Sequence, residues 1–485
     1  MAIRFSPKLL KNLRCFNSSS SIGFVGKPER SVLKPPTSLI DDLNFDNGEQ
    51  LFSSVPTSQL VKSMTNLHLV AFEPAVDVGI KVMRSSLMEN KYFRGVLMGI
   101  IKRSIYEHFC AGEDLEEASR TLQRLWDNGL RGILDYGLED ATDNEGCDRN
   151  LEEFLKTVET TSLLPPSSVS FACVKITAIC PISLLERMSD LLRWEHKDPS
   201  FHLPWKIESL PFLSNSSPLY HTTSEPEPLT EKEEEDLKLA QQRLSKLCEK
   251  CHQTNLPLLV DAEYTSVQPA IDYFTYSAAI RFNNDENPIV YGTIQTYLRD
   301  AKERLVKAVE AAERRGISIG FKLVRGAYMT RETQLASASG AASPIHSSIQ
   351  ETHDCYNECT SFMLEKIAGG HGSVVLATHN LESGKAAAAK AAELKIGKGN
   401  QKLQFAQLKG MADGLSLGLR NGGFNVSKYL PFGPVENVIP YLLRRAEENR
   451  GLLSASTLDR QLMSKELKRR LKVAVMGREP DKIMT

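Results

Sequence analysis

Beyond residue 130 the chain repeats one pattern eight times: a short apolar run followed, in nearly every case, by an amphipathic stretch of helical period. The apolar runs are Gly132–Gly137, Ser170–Thr177, Leu256–Glu263, Ile289–Gln295, Ile319–Gly326, Ser373–Thr378, Leu403–Leu408 and Asn425–Leu430. Helical patterns at Ile182–Trp194, Gln268–Phe282, Thr296–Arg315, Ser347–Ile367 and Lys385–Leu394 lie between them. Strands that alternate with helices pair in parallel, because each crossover returns the chain to the same end of the sheet. Eight such units over about 320 residues predict an α/β fold whose sheet closes on itself, a (β/α)8 barrel with insertions. An open, doubly wound sheet is the alternative, but no G-x-G-x-x-G follows any of the runs.

Residues 51–130 carry helical periodicity without clustered chemistry, so a helical subdomain is expected ahead of the barrel, with Ser58 and Asp114 as candidate N-caps. Residues 29–50 are polar and contain Pro and Gly, as linkers do. The barrel domain is bounded at 131–455, and 456–485 form a helical tail. One insertion, 196–235, holds six prolines and is too polar to fold alone, so a loop on the barrel surface is expected. The acids at its end, Glu231 and Glu233–Asp236, suit the start of a helix, where negative charge meets the positive end of the dipole.

Residues 1–28 differ from the rest. They carry Arg4, Lys8, Lys11, Arg14 and Lys27, four serines from Ser18 to Ser21, and no acid. Basic, Ser-rich and acid-poor is the composition of an organelle transit peptide. A formal net charge of −1 gives no electrostatic footprint for nucleic acid. No apolar run approaches the roughly 18 residues of a spanning helix, while peripheral contact with a membrane stays open. Nine scattered cysteines favour buried thiols in a reducing compartment over a disulfide framework. Cys248-Glu-Lys-Cys251-His252 has the spacing of a haem attachment site but lies within a charged helical pattern and reads as helix packing, as do Cys355 and Cys359.

In a parallel barrel the reactive end is the C-terminal mouth. The strand ends supply Lys175, Asp261 with Glu263, Gln295, then Lys322, Val324, Arg325, Gly326, Ala327 and Tyr328, then Thr378, His379 and Asn380, then Gln407 and Tyr429. Alternation along a strand puts Asp261 and Glu263 on one face. Charge in an otherwise apolar strand is costly to isolate from water, so Lys175 and Asp261 need partners, either each other or a ligand. Polar groups at so many strand ends point to a site.

The last helical pattern places Tyr441, Arg444, Arg445 and Glu448 on one stripe. Two adjacent guanidinium groups repel unless an anion lies between them, and their planar donor forks match a carboxylate.

At these residues the chain resembles the proline dehydrogenase family, and within it the mitochondrial plant enzymes. The segments that carry the likeness are VKITAICPISLL (174–185), PLLVDAE (257–263), FKLVRGAYM (321–329), LATHN (376–380), FAQLKGM (405–411) and KYLPFGPVENVIPYLLRRAEEN (428–449). The resemblance implies that Lys175, Asp261, Tyr328, Tyr429, Tyr441, Arg444 and Arg445 surround L-proline. Lys175 and the two arginines would hold its carboxylate, with the tyrosines and Leu323 as walls around the ring. It implies that Gln295, Lys322, Val324, Arg325, Gly326, Ala327, Thr378, His379, Asn380, Gln407, Arg445 and Glu448 contact FAD. Two positions depart from bacterial relatives: Lys322 stands in place of an Arg and Met329 in place of a Trp.

The implied activity is oxidation of L-proline to 1-pyrroline-5-carboxylate by hydride transfer to FAD. The implied electron acceptor is a quinone, and the implied location is the mitochondrion, on the matrix side, with peripheral inner-membrane association open. A hydroxyproline dehydrogenase of the same fold is the near alternative; in the family such enzymes carry a smaller residue at the position of Tyr429. A Schiff-base aldolase using Lys175 is a second enzyme reading, and a catalytically silent binding scaffold is the non-enzymatic one.

Overall fold

The computed structural model describes residues 43–83, 85–284, 286–449 and 453–476. The 1–28 leader and most of the 29–50 linker lie outside the described residues. Eight parallel strands form a closed barrel in sequence order: β1 (Arg131–Tyr136), β2 (Val169–Val174), β3 (Leu258–Val260), β4 (Val290–Gln295), β5 (Gly320–Val324), β6 (Ser373–Ala377), β7 (Leu403–Leu408) and β8 (Val426–Phe432). Closure is made by β1 on β8, with Arg131 opposite Ser427 and Tyr136 opposite Phe432. The open-sheet alternative is excluded.

Two apolar layers follow from the alternation of side chains along each strand. Ile133, Phe171, Cys173, Leu259, Tyr291, Val375 and Ala406 fill the barrel interior. The intervening residues, among them Val174, Val260, Ile294, Phe321 and Leu376, face outward and join the helices in the main hydrophobic core. Between strands run helices Asn144–Thr161, Ile182–Lys197, Gln268–Phe282, Ala301–Arg314, Ile349–Ala368, Leu381–Glu393 and Asp413–Asn421. The predicted helix over 296–315 starts later than expected. Thr296 and Tyr297 instead donate backbone bonds to Val324 and Arg325, extending the ladder beyond β4.

Helix Leu115–Asp127 starts at Asp114, whose carboxylate accepts from the Glu117 amide at 2.8 Å. It lies directly on the barrel: Leu122 packs with Leu134 and Leu430. Ser58 does not cap. The helix Thr57–Ala71 already includes Ser58; its N-cap position is Pro56, which has no side-chain donor or acceptor to offer. In the 196–235 insertion, irregular chain runs to Thr230, where a capping box with Glu233 opens the helix Glu231–Thr254. Leu203, Leu210, Phe212 and Leu229 anchor the irregular part in the main core. Cys248 and Cys251 are buried in that helix's packing face, and the described cysteines are all buried and free.

The tail helix Leu453–Met476 returns to the body of the fold. Arg470 donates to the backbone of Phe52 and Val55 at 2.7 and 2.8 Å, and Asp459 accepts from the amides of Asp413 and Gly414 at 2.9 Å. Among the described residues, no helix is long and apolar enough to cross a membrane.

Candidate active site

The C-terminal mouth of the barrel opens into a cavity of about 780 Å³. Lys175, Asp261, Gln295, Lys322, Val324, Arg325, Gly326, Ala327, Tyr328, Thr378, His379, Asn380, Gln407, Tyr429 and Tyr441 all line it. These residues come from the ends of seven strands, β2 to β8, and the helix Val435–Asn449, so barrel closure brings together groups up to 266 positions apart, Lys175 and Tyr441. The side chains of Arg444, Arg445 and Glu448 lie outside the described residues, although the helix that carries them is described.

Leu323 does not take the expected place. It is fully buried and belongs to the layer between barrel and helices. Its neighbours Lys322 and Val324 both face the cavity, and a strand cannot turn three consecutive side chains to one side. Leu408, at the end of β7, does line the cavity. Asp261 and Glu263 also part company, because β3 ends at Val260 and strict alternation ends with it. Asp261 faces the cavity, whereas Glu263 accepts a bond from the Thr177 hydroxyl at 3.0 Å.

The floor of the cavity is a charge cluster. Asp261 is in direct contact with Lys322 Nζ through Oδ1; its Oδ2 accepts from the Tyr429 hydroxyl at 2.8 Å and lies 3.9 Å from Lys175 Nζ. Lys175 also reaches Asp135 Oδ2 at 3.4 Å. Burial alone would raise the Asp261 pKa, but Lys322 and Lys175 outweigh it and hold the carboxyl at about 2. Burial would likewise strip the proton from Lys175; Asp135 and Asp261 reverse this and keep it well above the ordinary lysine range. Asp135 is pushed up by burial despite Lys175. Lys322 Nζ stands 5.2 Å from the centre of the Tyr429 ring, and burial together with Asp135 and Asp261 keeps that phenol protonated.

Asp135, at the end of β1, was missed from sequence. The signal was there: an acid in the apolar run Gly-Ile-Leu-Asp-Tyr poses the same burial problem as Lys175. His353, Leu458 and Asp459 also line the cavity. They come from helices rather than strand ends, where no strand-end pattern could find them.

On the wall of β5, Arg325 is held at three points by neutral groups. It donates to His353 Nδ1 at 2.9 Å, Thr378 Oγ1 at 2.7 Å and Ser383 Oγ at 2.9 Å, and its guanidinium lies 4.4 Å over the Tyr356 ring. A half-buried cation with no anionic partner among the described residues suits a negatively charged ligand group. Gly326 follows with φ +141°, and a Cβ there would come 2.3 Å from the Tyr297 ring, so only glycine lets the chain pass this close. Asn380 caps the helix Leu381–Glu393 by accepting from Ser383 N at 2.9 Å. His379 Nε2 accepts from the Leu408 amide at 3.1 Å, which puts its ring proton on Nδ1 in the neutral form. Gln295 and Gln407 are tied to the backbone of Glu263 and Thr378.

A family profile described as "Proline dehydrogenase" matches residues 118–457, well over half of the chain. The chain belongs to the proline dehydrogenase family. Proline dehydrogenase 1, mitochondrial, of Arabidopsis thaliana is 55% identical over 441 residues, covering 90% of this chain and 88% of that one. Proline dehydrogenase 2, mitochondrial, of the same plant is 52% identical, covering 91% and 96%. The hydroxyproline dehydrogenase of Homo sapiens is 32% identical, covering 90% and 95%. Among solved structures, proline utilization A from Bdellovibrio bacteriovorus superposes with a TM-score of 0.58 at 21% identity, covering 86% of this chain. This chain spans 39% of that protein's length, and the likeness is one of fold. Members of the proline dehydrogenase family are oxidoreductases, and this chain is one of them.

Proposed function

We propose that this chain oxidises L-proline to 1-pyrroline-5-carboxylate with FAD held at the barrel mouth. The observation that carries the reading is the presence, in one cavity, of Arg325, whose partners among the described residues are neutral, and of the Asp261–Lys322–Lys175–Tyr429 cluster. The first suits the anionic part of a dinucleotide; the second suits a small zwitterion. The apolar Val324, Ala377 and Leu408 on the same wall suit a flat ring system. The residues fit the cofactor.

FAD, when bound, supplies the acceptor for the hydride that leaves the carbon next to the ring nitrogen. The chain's own residues bind and orient. An ammonium has three donors; Lys175 gives one to Asp135 at 3.4 Å and lies 3.9 Å from Asp261, beyond hydrogen-bond reach. Its remaining donors, with Arg444 and Arg445, would fix the substrate carboxylate, so that binding energy is converted into orientation. Cations around the substrate also favour its neutral amine, whose lone pair forms the new C=N bond as hydride departs. Tyr328, Tyr429 and Tyr441 would enclose the ring. Lys322 would place positive charge where the reduced cofactor gains negative charge. A quinone would be the final acceptor of the two electrons.

The Schiff-base reading of Lys175 loses support, because that amine must be neutral to attack a carbonyl and Asp135 and Asp261 hold it as a cation. Hydroxyproline oxidation is disfavoured by Tyr429, whose hydroxyl is committed to Asp261 on the cavity floor. Location in the mitochondrion is supported by the names of the plant relatives and by the composition of residues 1–28. Matrix placement and peripheral association with the inner membrane go with the quinone reading.

The deciding experiment is a visible spectrum of the purified protein under anaerobic conditions, before and after proline is added. Flavin bands that bleach with proline support the reading; a colourless protein, or flavin unaffected by proline, overturns it.

A further inference from the structure

The helix Lys91–Ile101 has the residues of an interior element and the exposure of a surface one. Its sequence, KYFRGVLMGII, is apolar almost all the way round, yet none of its residues is buried. Helices of that composition are normally enclosed by protein or lipid. Tyr92, Val96 and Ile100 recur every four residues, so they form one stripe; they are 90%, 67% and 60% exposed. Met98 and Ile101 instead pack against the cluster containing Val435, Val438 and Leu442, on the helix that brings Tyr441 to the cavity. Arg94 ties the same two helices together through Glu436 at 2.8 Å. Val78 and Leu87, on the helix and turn just before, extend the exposed apolar surface.

Charge indicates what covers this surface. From Glu73 to Tyr106 the chain carries six cations, Lys81, Arg84, Lys91, Arg94, Lys102 and Arg103, against three acids, Glu73, Asp77 and Glu89. Arg94 and Lys102 are paired with Glu436 and Glu113, but the segment as a whole stays basic in a chain whose formal charge is −1. Anionic phospholipid, which presents negative charge beside an apolar interior, matches a surface that is both basic and apolar. An 11-residue helix is too short to span a bilayer, which takes about 20 residues, but it suits the headgroup boundary, with an aromatic and aliphatic stripe inward and basic residues at the rim.

We infer that the arm formed by residues 73–106 docks on an anionic lipid surface, with Tyr92, Val96 and Ile100 entering the bilayer. The surface stands independently of the proposed function. Its use, which is to bring the helix that lines the cavity beside a lipid-dissolved acceptor, rests on that reading.

The test is co-sedimentation of the full chain with vesicles of phosphatidylcholine alone, or of two parts phosphatidylcholine to one of phosphatidylglycerol. The wild type is compared with the combined variant Tyr92→Ser, Val96→Ser, Ile100→Ser, so that any contribution from the basic leader is common to both. The wild type is expected to prefer the anionic vesicles, and the variant's partition coefficient to fall by about tenfold or more. Equal binding by the two proteins, or no vesicle binding by the wild type, overturns the inference. So does a dimer that the variant converts to monomer in analytical ultracentrifugation, since the stripe would then cover a second copy. Proline-dependent bleaching of the flavin in lipid-free buffer is measured on both proteins and is expected to be the same. If bleaching fails in both while the difference in vesicle binding stands, the proposed function falls and the lipid surface remains.

Discussion

Tyr429 donates a 2.8 Å hydrogen bond to Asp261 Oδ2, although 168 residues separate them along the chain. The carboxylate that receives it also meets Lys322 and lies 3.9 Å from Lys175. One aspartate thus sets the orientation of a phenol and two ammonium groups on the cavity floor.

Replacing Tyr429 tests that relationship. Tyr429→Phe removes a bond to a charged acceptor, worth about 1.5–3 kcal/mol, and should lower kcat/KM for proline by about tenfold to a hundredfold. Tyr429→Ser also opens space, and the ratio of hydroxyproline to proline turnover should rise by about tenfold. Steady-state kinetics with both substrates check this; an unchanged ratio would remove Tyr429 from the substrate wall.

Arg325 should govern cofactor retention. Arg325→Met removes the cation and all three bonds to His353, Thr378 and Ser383, and flavin affinity should drop by at least about tenfold. Arg325→Lys keeps the charge without the planar fork and should fall between the two. Flavin content after gel filtration, with titration of apoprotein, measures the effect. Full flavin loading of Arg325→Met would contradict the assignment.

Arg444→Ala and Arg445→Ala should each raise KM for proline strongly, by about tenfold or more, because each would remove half of the proposed carboxylate clamp. A proline analogue lacking the carboxylate should be insensitive to both changes. Unaltered KM in both variants would exclude the clamp.

Glu263 gives a pH signature. Burial, partly opposed by Lys175, pushes its carboxyl up to about 8, well above the unfolded value of about 4.3. The folded state therefore binds a proton that the unfolded state has lost. Its stabilising contribution is complete below about pH 4 and declines as pH rises to about 8. Glu263→Gln keeps a neutral acceptor for Thr177 and should flatten the fall of Tm between about pH 5 and pH 8. Parallel Tm profiles for variant and wild type would show that Glu263 is already ionised in the folded protein.

The eight-fold alternation was legible because it depends only on local periodicity and on the parallel pairing that crossovers impose. It located every strand to within about three residues and, with the rule that strand ends carry the site, brought out the cavity residues from Lys175 to Tyr429. The rule failed where local geometry departs from the ideal. Glu263 was paired with Asp261 beyond the point where β3 ends; Leu323, placed in the ring wall by the resemblance alone, faces the helices because adjacent strand residues point opposite ways.

What the chain by itself determined was therefore the set of elements and the polar end of each strand, since both follow from the order of residue types along a few turns or rungs. Only the closed barrel decided who meets whom. Asp135 is the partner of Lys175 because β1 lies beside β2. Asp459 reaches the cavity because a helix beyond the last strand folds back onto the amides of Asp413 and Gly414. Those contacts depend on how far apart backbone segments finish in space. That distance is set by packing of the whole core, so no local pattern records it.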